Sequence, residues 1–168
     1  GTSITWAAYI TVTTGSMYQN GNGDSWVVGG NVLVSDDNLG LSTATGDLTF
    51  ASLTIASGAR FNATSGTTTI TNRNGNSKYW ENGGGTFNHN NGTVKFTDND
   101  HTGIVENTFY NMHIASANAN QYAVSWEDVS GGALKVLNNL IIESGDFDIG
   151  EGEAFQFIRR MIPDVKFN

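Results

Sequence analysis

The chain has 168 residues and a formal net charge of −8, with 16 Asp and Glu residues against 8 Lys and Arg. This length fits one domain, and the acidic balance argues against nucleic-acid binding, because contacts to phosphates need clustered basic side chains. The absence of cysteine excludes a disulfide scaffold, thiolate zinc sites and a thiol nucleophile. The chain contains 21 glycines and a single proline, and this glycine content is too high for an ordinary helical domain.

Residues 1–29 are predicted to form an N-terminal strand or cap. The first nine residues lack the basic region and apolar core of an intact signal peptide. Aromatic and β-branched residues in residues 2–14 fit a strand that covers the first turn of the fold. No apolar run approaches the roughly 20 residues that a membrane helix needs, so we expect no membrane insertion.

Residues 30–150 contain an internal repeat. Residues 61–71 and 87–97 share Phe, Asn, Gly, Thr, a large apolar residue and Thr in the same order. Phe61 and Phe87 are equivalent positions in the two copies, and their separation gives a period in the twenties, which is typical of a solenoid.

A second motif consists of an aromatic residue or Leu, two residues, Leu or Met, one residue and Ile. Its three copies begin at Phe50, Phe109 and Leu137. Between such runs lie Asn-Gly pairs, which suit the positive φ angles of tight corners. Apolar residues alternate with polar ones at Leu53 and Ile55, as in a strand with one buried face.

These features predict an all-β, single-domain parallel β-helix with atypical terminal caps. At about 24 residues per turn, the chain would make roughly seven turns. A β-sandwich or jelly roll is the alternative, because Asn-Gly pairs are equally signals of antiparallel hairpins.

Residues 151–168 depart from the repeat, since they contain few of its Gly, Asn and Thr residues. The segment is predicted to be either a cap over the open end of the solenoid or an assembly segment. The predicted assembly residues are Phe155, Phe157, Ile158 and Ile162.

Acidic residues suggest one metal candidate. Asp98, Asp100 and Glu106 form a loose calcium-binding pattern, whose alternative is a solvated turn between strands. Phe109 occupies the place of the bidentate Glu of an EF-hand loop, which excludes that motif. No other cofactor is expected.

The same region is a candidate for polysaccharide cleavage. Asp98, Asp100 and His101 would contribute catalytic groups, together with Asp36 and Asp37 from an earlier turn. No acidic residue recurs at the repeat spacing that would stack such groups, so catalysis is the minority hypothesis. Three histidines recur at equal intervals, a regularity that we attribute to chance: His89, His101 and His113.

Several aromatic residues are expected to lie outside the inward-facing pattern. Exposed aromatic side chains suit either a subunit interface or stacking on sugar rings, and simple packing is the third alternative. The candidates are Tyr79, Trp80, Tyr110, Tyr122 and Trp126.

The Phe-x-x-Leu-x-Ile-x-Ser-Gly unit at residues 50–58 resembles the repeats of filamentous-haemagglutinin-type adhesins and of β-helical phage fibre and tailspike proteins. The resemblance covers roughly residues 30–150. It implies a trimeric or arrayed protein on a virion or outside the cell, of a kind that often binds or cleaves glycans.

We therefore expect a non-enzymatic structural or attachment module on a virion or cell surface. Its expected partners are further copies of itself, with a trimer favoured, or neighbouring surface proteins, and the chain is expected to bind no nucleic acid. The alternatives are a glycan-binding adhesin, which predicts exposed aromatics on one face, and a polysaccharide depolymerase, which predicts carboxylates stacked in a groove.

Overall fold

The computed structural model describes residues 3–18, 23–40, 43–97, 102–106, 108–115, 124–127 and 134–143. These residues form sixteen β-strands, and none of them forms a helix long and apolar enough to span a membrane. All neighbouring strands run parallel, which confirms the predicted parallel β-helix over the antiparallel sandwich.

Three parallel sheets form the sides of the solenoid. The first contains, in spatial order, β1 (Ser3–Trp6), β3 (Ser25–Val28), β6 (Leu48–Phe50), β9 (Thr67–Ile70), β12 (Thr93–Phe96), β14 (Thr108–Ala115) and β16 (Lys135–Glu143). The second contains β2 (Ile10–Val12), β4 (Val32–Val34), β7 (Leu53–Ile55), β10 (Lys78–Asn82), β13 (Thr102–Val105) and β15 (Val124–Glu127). The third contains β5 (Asn38–Leu39), β8 (Arg60–Asn62) and β11 (Thr86–Asn88).

The chain alternates between the first and second sheets and also passes through the third sheet in the turns that contain β5, β8 and β11, making about five turns. The larger number expected from the sequence is for the whole chain, of which residues 144–168 lie outside the described part. β1 pairs with β3 and β2 with β4, so the strands of residues 3–28 continue the same sheets.

The length of a turn depends on the corners between sheets. Trp26 pairs with Leu48, and Phe61 pairs with Phe87, so the later of these two turns contains more residues. The pairing of Phe61 with Phe87 confirms the sequence repeat, and the extra length of this turn comes from residues 71–77, which we call the long corner. The corresponding corner between β6 and β7 contains only Ala51 and Ser52.

The second sequence motif is only partly a structural repeat. Met112 pairs with Leu140 in the first sheet, as the motif predicts. Leu53 lies instead in the second sheet, where it pairs with Val32 and Trp80, so its alignment with Met112 is wrong. The reason is local: the chain turns a corner directly after Phe50, but it runs straight through the whole of β14.

The interior changes character along the axis. The early turns bury mainly aliphatic side chains, and the later turns bury an aromatic cluster around Trp80. Its indole packs edge-to-face against Phe61, Phe87 and Phe109, with ring centroids 5.8, 4.7 and 5.5 Å away. Such contacts add to the hydrophobic free energy that burial supplies.

The backbone and the polar side chains of successive turns meet closely at the end of the third sheet. Gly40 has a φ of +85°, and a Cβ there would collide with the carbonyl oxygen of Asn62. Asn62 Nδ2 donates to the carbonyl of Gly40 (3.1 Å), and Asn88 Nδ2 donates to Asn62 Oδ1 (2.6 Å). These amides link three consecutive turns and leave no room for a side chain at Gly40.

Candidate functional site

A groove of about 420 Å³ lies on the outer face of the second sheet, and we call it the outer groove. Strands from four successive turns form its floor, and three corners between the first and second sheets form a wall along one side. Residues that are far apart in sequence meet here because the parallel register places them at the same position on consecutive turns.

The floor is a row of outward-facing side chains. Thr11 pairs with Leu33, Leu33 with Thr54, and Thr54 with Glu81. Their neighbours along each strand face the core, since successive side chains of a strand alternate between the two faces. With neighbouring strands about 4.8 Å apart, the row spans roughly 14 Å along the solenoid axis.

The first corner of this wall carries Tyr9, which is 74% exposed. The backbone on either side of Tyr9 is fixed to the next turn: Gly30 N donates to the carbonyl of Ala8 (3.1 Å), and Ile10 N donates to that of Asn31 (3.0 Å). A Cβ on Gly30 would lie 2.7 Å from Tyr9 N. Glycine at this position therefore permits the close approach that holds Tyr9 at the rim.

The long corner lies in the same wall, three turns farther along the axis, and is closed by Asn74. The backbone of Asn74 donates to the carbonyl of Lys78 (2.8 Å) and accepts from Ser77 N (3.0 Å). Its Oδ1 accepts from the backbone amides of Asn76 (2.9 Å) and Lys78 (3.0 Å). One side chain thus fixes the conformation of the corner and presents Asn76 to the groove.

Asn74 also orients the carboxylate of the groove. Its Nδ2 donates to Glu81 Oε2 at 3.0 Å and lies 3.4 Å from Thr54 Oγ1. Glu81 Oε1 has no hydrogen-bond partner among the described residues. The outer groove therefore combines an exposed aromatic ring, amides, hydroxyls and one half-buried carboxylate.

Two of the predicted aromatic candidates are in the core. Tyr79 and Trp80 are fully buried, so the expectation that they lie outside the inward pattern is wrong. A β-bulge explains how consecutive residues are both buried, because the register of β10 against β13 shifts between Lys78 and Trp80. Neither ring is available to a ligand or to a subunit interface.

The other aromatic candidates do not join a common surface in the described residues. Tyr110 lies in the first sheet and is half-buried, with its ring stacked on that of His89 at a centroid distance of 5.5 Å. Trp126 lies in β15, where its backbone pairs with Ile104, and Tyr122 falls outside the described residues. The predicted assembly residues also lie outside them: Phe155, Phe157, Ile158 and Ile162.

One of the three predicted calcium ligands, Glu106, is not accessible to a metal ion from solvent. Glu106 is buried, and its Oε2 accepts a hydrogen bond from Asn82 Nδ2 at 2.8 Å. Its carboxylate contributes to the corner between β13 and β14, since Oε1 lies 3.4 Å from Thr108 N. Asp98 and Asp100 fall outside the described residues, so calcium binding stays a prediction.

The predicted catalytic residues Asp36 and Asp37 and the histidine His113 make contacts with nearby residues of the scaffold. Asp37, with a φ of +52°, accepts a hydrogen bond from Gly15 N through Oδ2 (2.7 Å), and Asp36 Oδ1 accepts from Asp37 N (2.8 Å). His113 Nε2 lies 3.1 Å from Glu143 Oε1. Within the described ranges, which omit His101, no three His, Cys, Asp or Glu side chains are grouped to hold a metal ion.

Sequence reasoning misses the residues that form the outer groove. It places Tyr9 in a terminal strand and Asn74 in an ordinary turn. The available signal is the length of the polar stretch at residues 71–77, which exceeds that of the other corners between the first and second sheets in the described ranges.

Comparison with protein-family models, curated proteins and solved structures finds no match to this chain.

Proposed function

We propose that the chain is a non-enzymatic structural and attachment module of a virion or an extracellular surface, and that it works as a homo-oligomer. The uninterrupted stack of parallel strands carries this proposal. All three sheets contribute to one buried interior, and the described residues are used mainly to build that stack. A stiff rod of stacked sheets suits mechanical display.

The oligomer is assigned to the C-terminal end of the rod. β16 is the edge strand of the first sheet among the described residues, and an unpaired apolar edge of this kind favours pairing with another chain. Its exposed large apolar side chains are Leu137, Leu140, Ile141 and Ile142. We assign a second copy of the chain as the occupant, because the large apolar side chains of this edge strand are exposed in a single copy.

Light scattering on the full chain tests this assignment. The wild type is expected to be an oligomer, and both Ile141→Lys/Ile142→Lys and Phe155→Ser/Ile158→Ser are expected to be monomers. Ile4→Lys is the matched control, because Ile4 is an exposed apolar residue on the opposite edge strand of the same sheet. A monomeric wild type, or equal dissociation by Ile4→Lys, would contradict the proposal.

Glycan binding is a second candidate function, and the outer groove favours it. The groove lining includes an exposed tyrosine and three asparagine side chains, which offer an aromatic face and hydrogen-bonding groups to a sugar. Glycoside hydrolysis generally uses a pair of carboxyl groups, whereas Glu81 is the one acidic residue among the described residues that line the groove. The groove therefore supports binding more than polysaccharide cleavage.

A further inference from the structure

We propose that Asn74 and Gly75, in the long corner, form a self-modifying site at which the asparagine is converted to aspartate or isoaspartate with water as the only co-reactant. Three features support it: a polarised side-chain carbonyl, a backbone nitrogen without a partner among the described residues, and a carboxylate beside the leaving amide. All three belong to one copy of the chain, so the proposal is independent of the attachment role and of the oligomer.

The reaction takes place between neighbouring residues. The backbone nitrogen of Gly75 attacks Cγ of Asn74, so that a new N–Cγ bond forms and the Cγ–Nδ2 bond breaks. The attacking nitrogen loses its proton to solvent, while Nδ2 gains a proton and leaves as ammonia. Water then opens the cyclic imide at either carbonyl carbon, which gives aspartate or isoaspartate without any oxidation or reduction.

The attacking nitrogen distinguishes this pair from the other two Asn-Gly pairs that the structure describes in full. Gly75 N has no hydrogen-bond partner among the described residues, and Gly75 is exposed. In the other pairs the nitrogen is already a donor: Gly83 N donates to the carbonyl of Ile55 (2.8 Å), and Gly92 N donates to that of His89 (2.9 Å). Such a bond must break before the nitrogen can attack, which slows the reaction.

Two backbone amides polarise the carbonyl that is attacked. Asn74 Oδ1 accepts from Asn76 N (2.9 Å) and from Lys78 N (3.0 Å), which are the distances of donors in an oxyanion hole. Negative charge develops on this oxygen during attack, so both hydrogen bonds are stronger in the transition state than in the ground state. Asn91 Oδ1 has no such donor among the described residues.

Glu81 lies beside the leaving group. Its Oε2 accepts a hydrogen bond from Asn74 Nδ2 at 3.0 Å, within the reach of a general acid or base. Glu81 Oε1 has no partner among the described residues, and the side chain lines the outer groove. The carboxylate can therefore take a proton from solvent in the groove and deliver it to the departing nitrogen.

Asn82 provides an internal comparison, because it has similar groups in a closed setting. Its Oδ1 accepts from Gly84 N (3.2 Å) and Gly85 N (2.8 Å), and its Nδ2 donates to Glu106 Oε2 (2.8 Å). Asn82 is only 6% exposed, however, and the nitrogen of Gly83 is bound to the preceding turn. We therefore expect this pair to be unreactive in the folded chain.

Modification would remodel the long corner. The product has no amide to donate to Glu81, so two carboxylates would face each other where Asn74 now donates. Isoaspartate would also add one carbon to the main chain of the corner. Both changes act on the residue that closes the corner, so this part of the groove wall would open in a step that the chain does not reverse.

Peptide mapping by mass spectrometry tests the proposal on the full chain, sampled during incubation in neutral buffer. Aspartate and isoaspartate are quantified at Asn74, Asn82 and Asn91. Conversion at Asn74 should be about tenfold or more faster than at either other position, because oxyanion donors and a free nitrogen lower the barrier there. In urea, where all three pairs lose these contacts, the rates should agree within about threefold.

Two variants separate the roles of the nitrogen and the carboxylate. Gly75→Ala should slow conversion at Asn74 by about tenfold, since the added methyl group restricts the backbone and hinders attack, while no atom lies within 4 Å of it to disturb the fold. Glu81→Gln should slow it by about tenfold and leave Asn91 unchanged. Conversion at Asn82 reports on folding in each variant, because unfolding would expose this pair.

Three results would overturn the proposal. Equal rates at Asn74 and Asn91 in the folded chain would show that the corner does not promote the reaction. Slower conversion at Asn74 in the folded chain than in urea would mean that the hydrogen bonds to its side chain protect the amide. An unchanged rate in Glu81→Gln would remove the carboxylate from the mechanism. None of these results bears on the oligomeric state, which light scattering measures separately.

Discussion

The turns built by β1 to β9 differ from those that begin at β10. In the earlier turns the interior is mainly aliphatic. The number of residues per turn there is typified by the pairing of Trp26 with Leu48 on the next turn. In the later turns the interior is aromatic and the lengths are unequal, because Asn111 is much closer in sequence to its partner Thr93 than to its partner Asn139. Turn length therefore varies most where the interior is bulkiest.

The corners, rather than the interior, explain this variation. β14 begins almost directly after β13, so that turn omits the third sheet and is short. The long corner lengthens the preceding turn by inserting an exposed loop. In the first sheet the inward residues keep their register across both of these turns, as the pairing of Val94 with Thr68 and Met112 shows. Packing in the core determines which side chains of a strand face inward, and differences in the number of residues per turn occur in the corners.

The largest expected effect comes from opening the aromatic interior. Trp80→Ala should lower the free energy of unfolding by about 4 kcal/mol, because the cavity removes contacts with three neighbouring rings. Leu53→Ala, at the paired position in the aliphatic turn, should cost about 3 kcal/mol. Urea unfolding of both variants measures the difference.

The control for this comparison is Trp80→Phe. Trp80 Nε1 is buried without a hydrogen-bond partner, so replacement by Phe removes an unsatisfied donor and keeps a ring in the cluster. Its loss of stability should be well below that of Trp80→Ala. A larger loss from Leu53→Ala than from Trp80→Ala would show that the aromatic turns are not the more tightly packed region.

Substitution of two glycines with similar backbone angles tests whether close packing between turns excludes a side chain in the earlier turns. Gly40 and Gly58 have φ values of +85° and +83°, but only Gly40 faces the next turn, at the carbonyl of Asn62. Gly40→Ala should cost about 3 kcal/mol, combining backbone strain with a steric clash. Gly58→Ala should cost about 1 kcal/mol from strain alone, since no atom lies within 4 Å. Equal unfolding midpoints for the two variants would refute tight contact at this corner.

The smallest expected effect on stability comes from shortening the long corner. Replacement of residues 73–77 by two glycines keeps Thr71 and Asn72, whose backbone amides pair with the preceding turn. Since loop closure depends weakly on loop length, the free energy of unfolding should change by only about 0.5 kcal/mol. Binding at the outer groove should nevertheless be lost, because Asn74 and Asn76 are removed. A cooperative transition shifted by several kcal/mol would mean that the corner belongs to the core.

Much of the fold could be predicted from the sequence, because its determinants repeat locally. Alternation at Leu53 and Ile55 identifies a strand with one buried face, and the matched glycines and asparagines mark corners. The stacking of Phe61 on Phe87 follows directly from their equivalent places in the repeat. Such signals lie within one turn or between two adjacent turns.

The candidate site could not be predicted in the same way, because it depends on register between several turns. Tyr9, Leu33 and Asn74 can be assigned to one groove only after the offsets between successive turns are known. Burial of Tyr79 depends on a bulge in β10, which no propensity of a Tyr-Trp pair predicts. Aromatic content alone therefore directs attention to buried rings, while the exposed ring lies in the first turn.

The position of the long corner also bears on how such a chain can change. The corners between the first and second sheets form a column along the rod, one for each turn, about 4.8 Å apart. The insertion at the long corner alters the surface at that level, while the pairing of β9 with β12 in the first sheet is kept. The outer surface of the solenoid can thus be changed, by natural variation or by engineering, at one turn at a time.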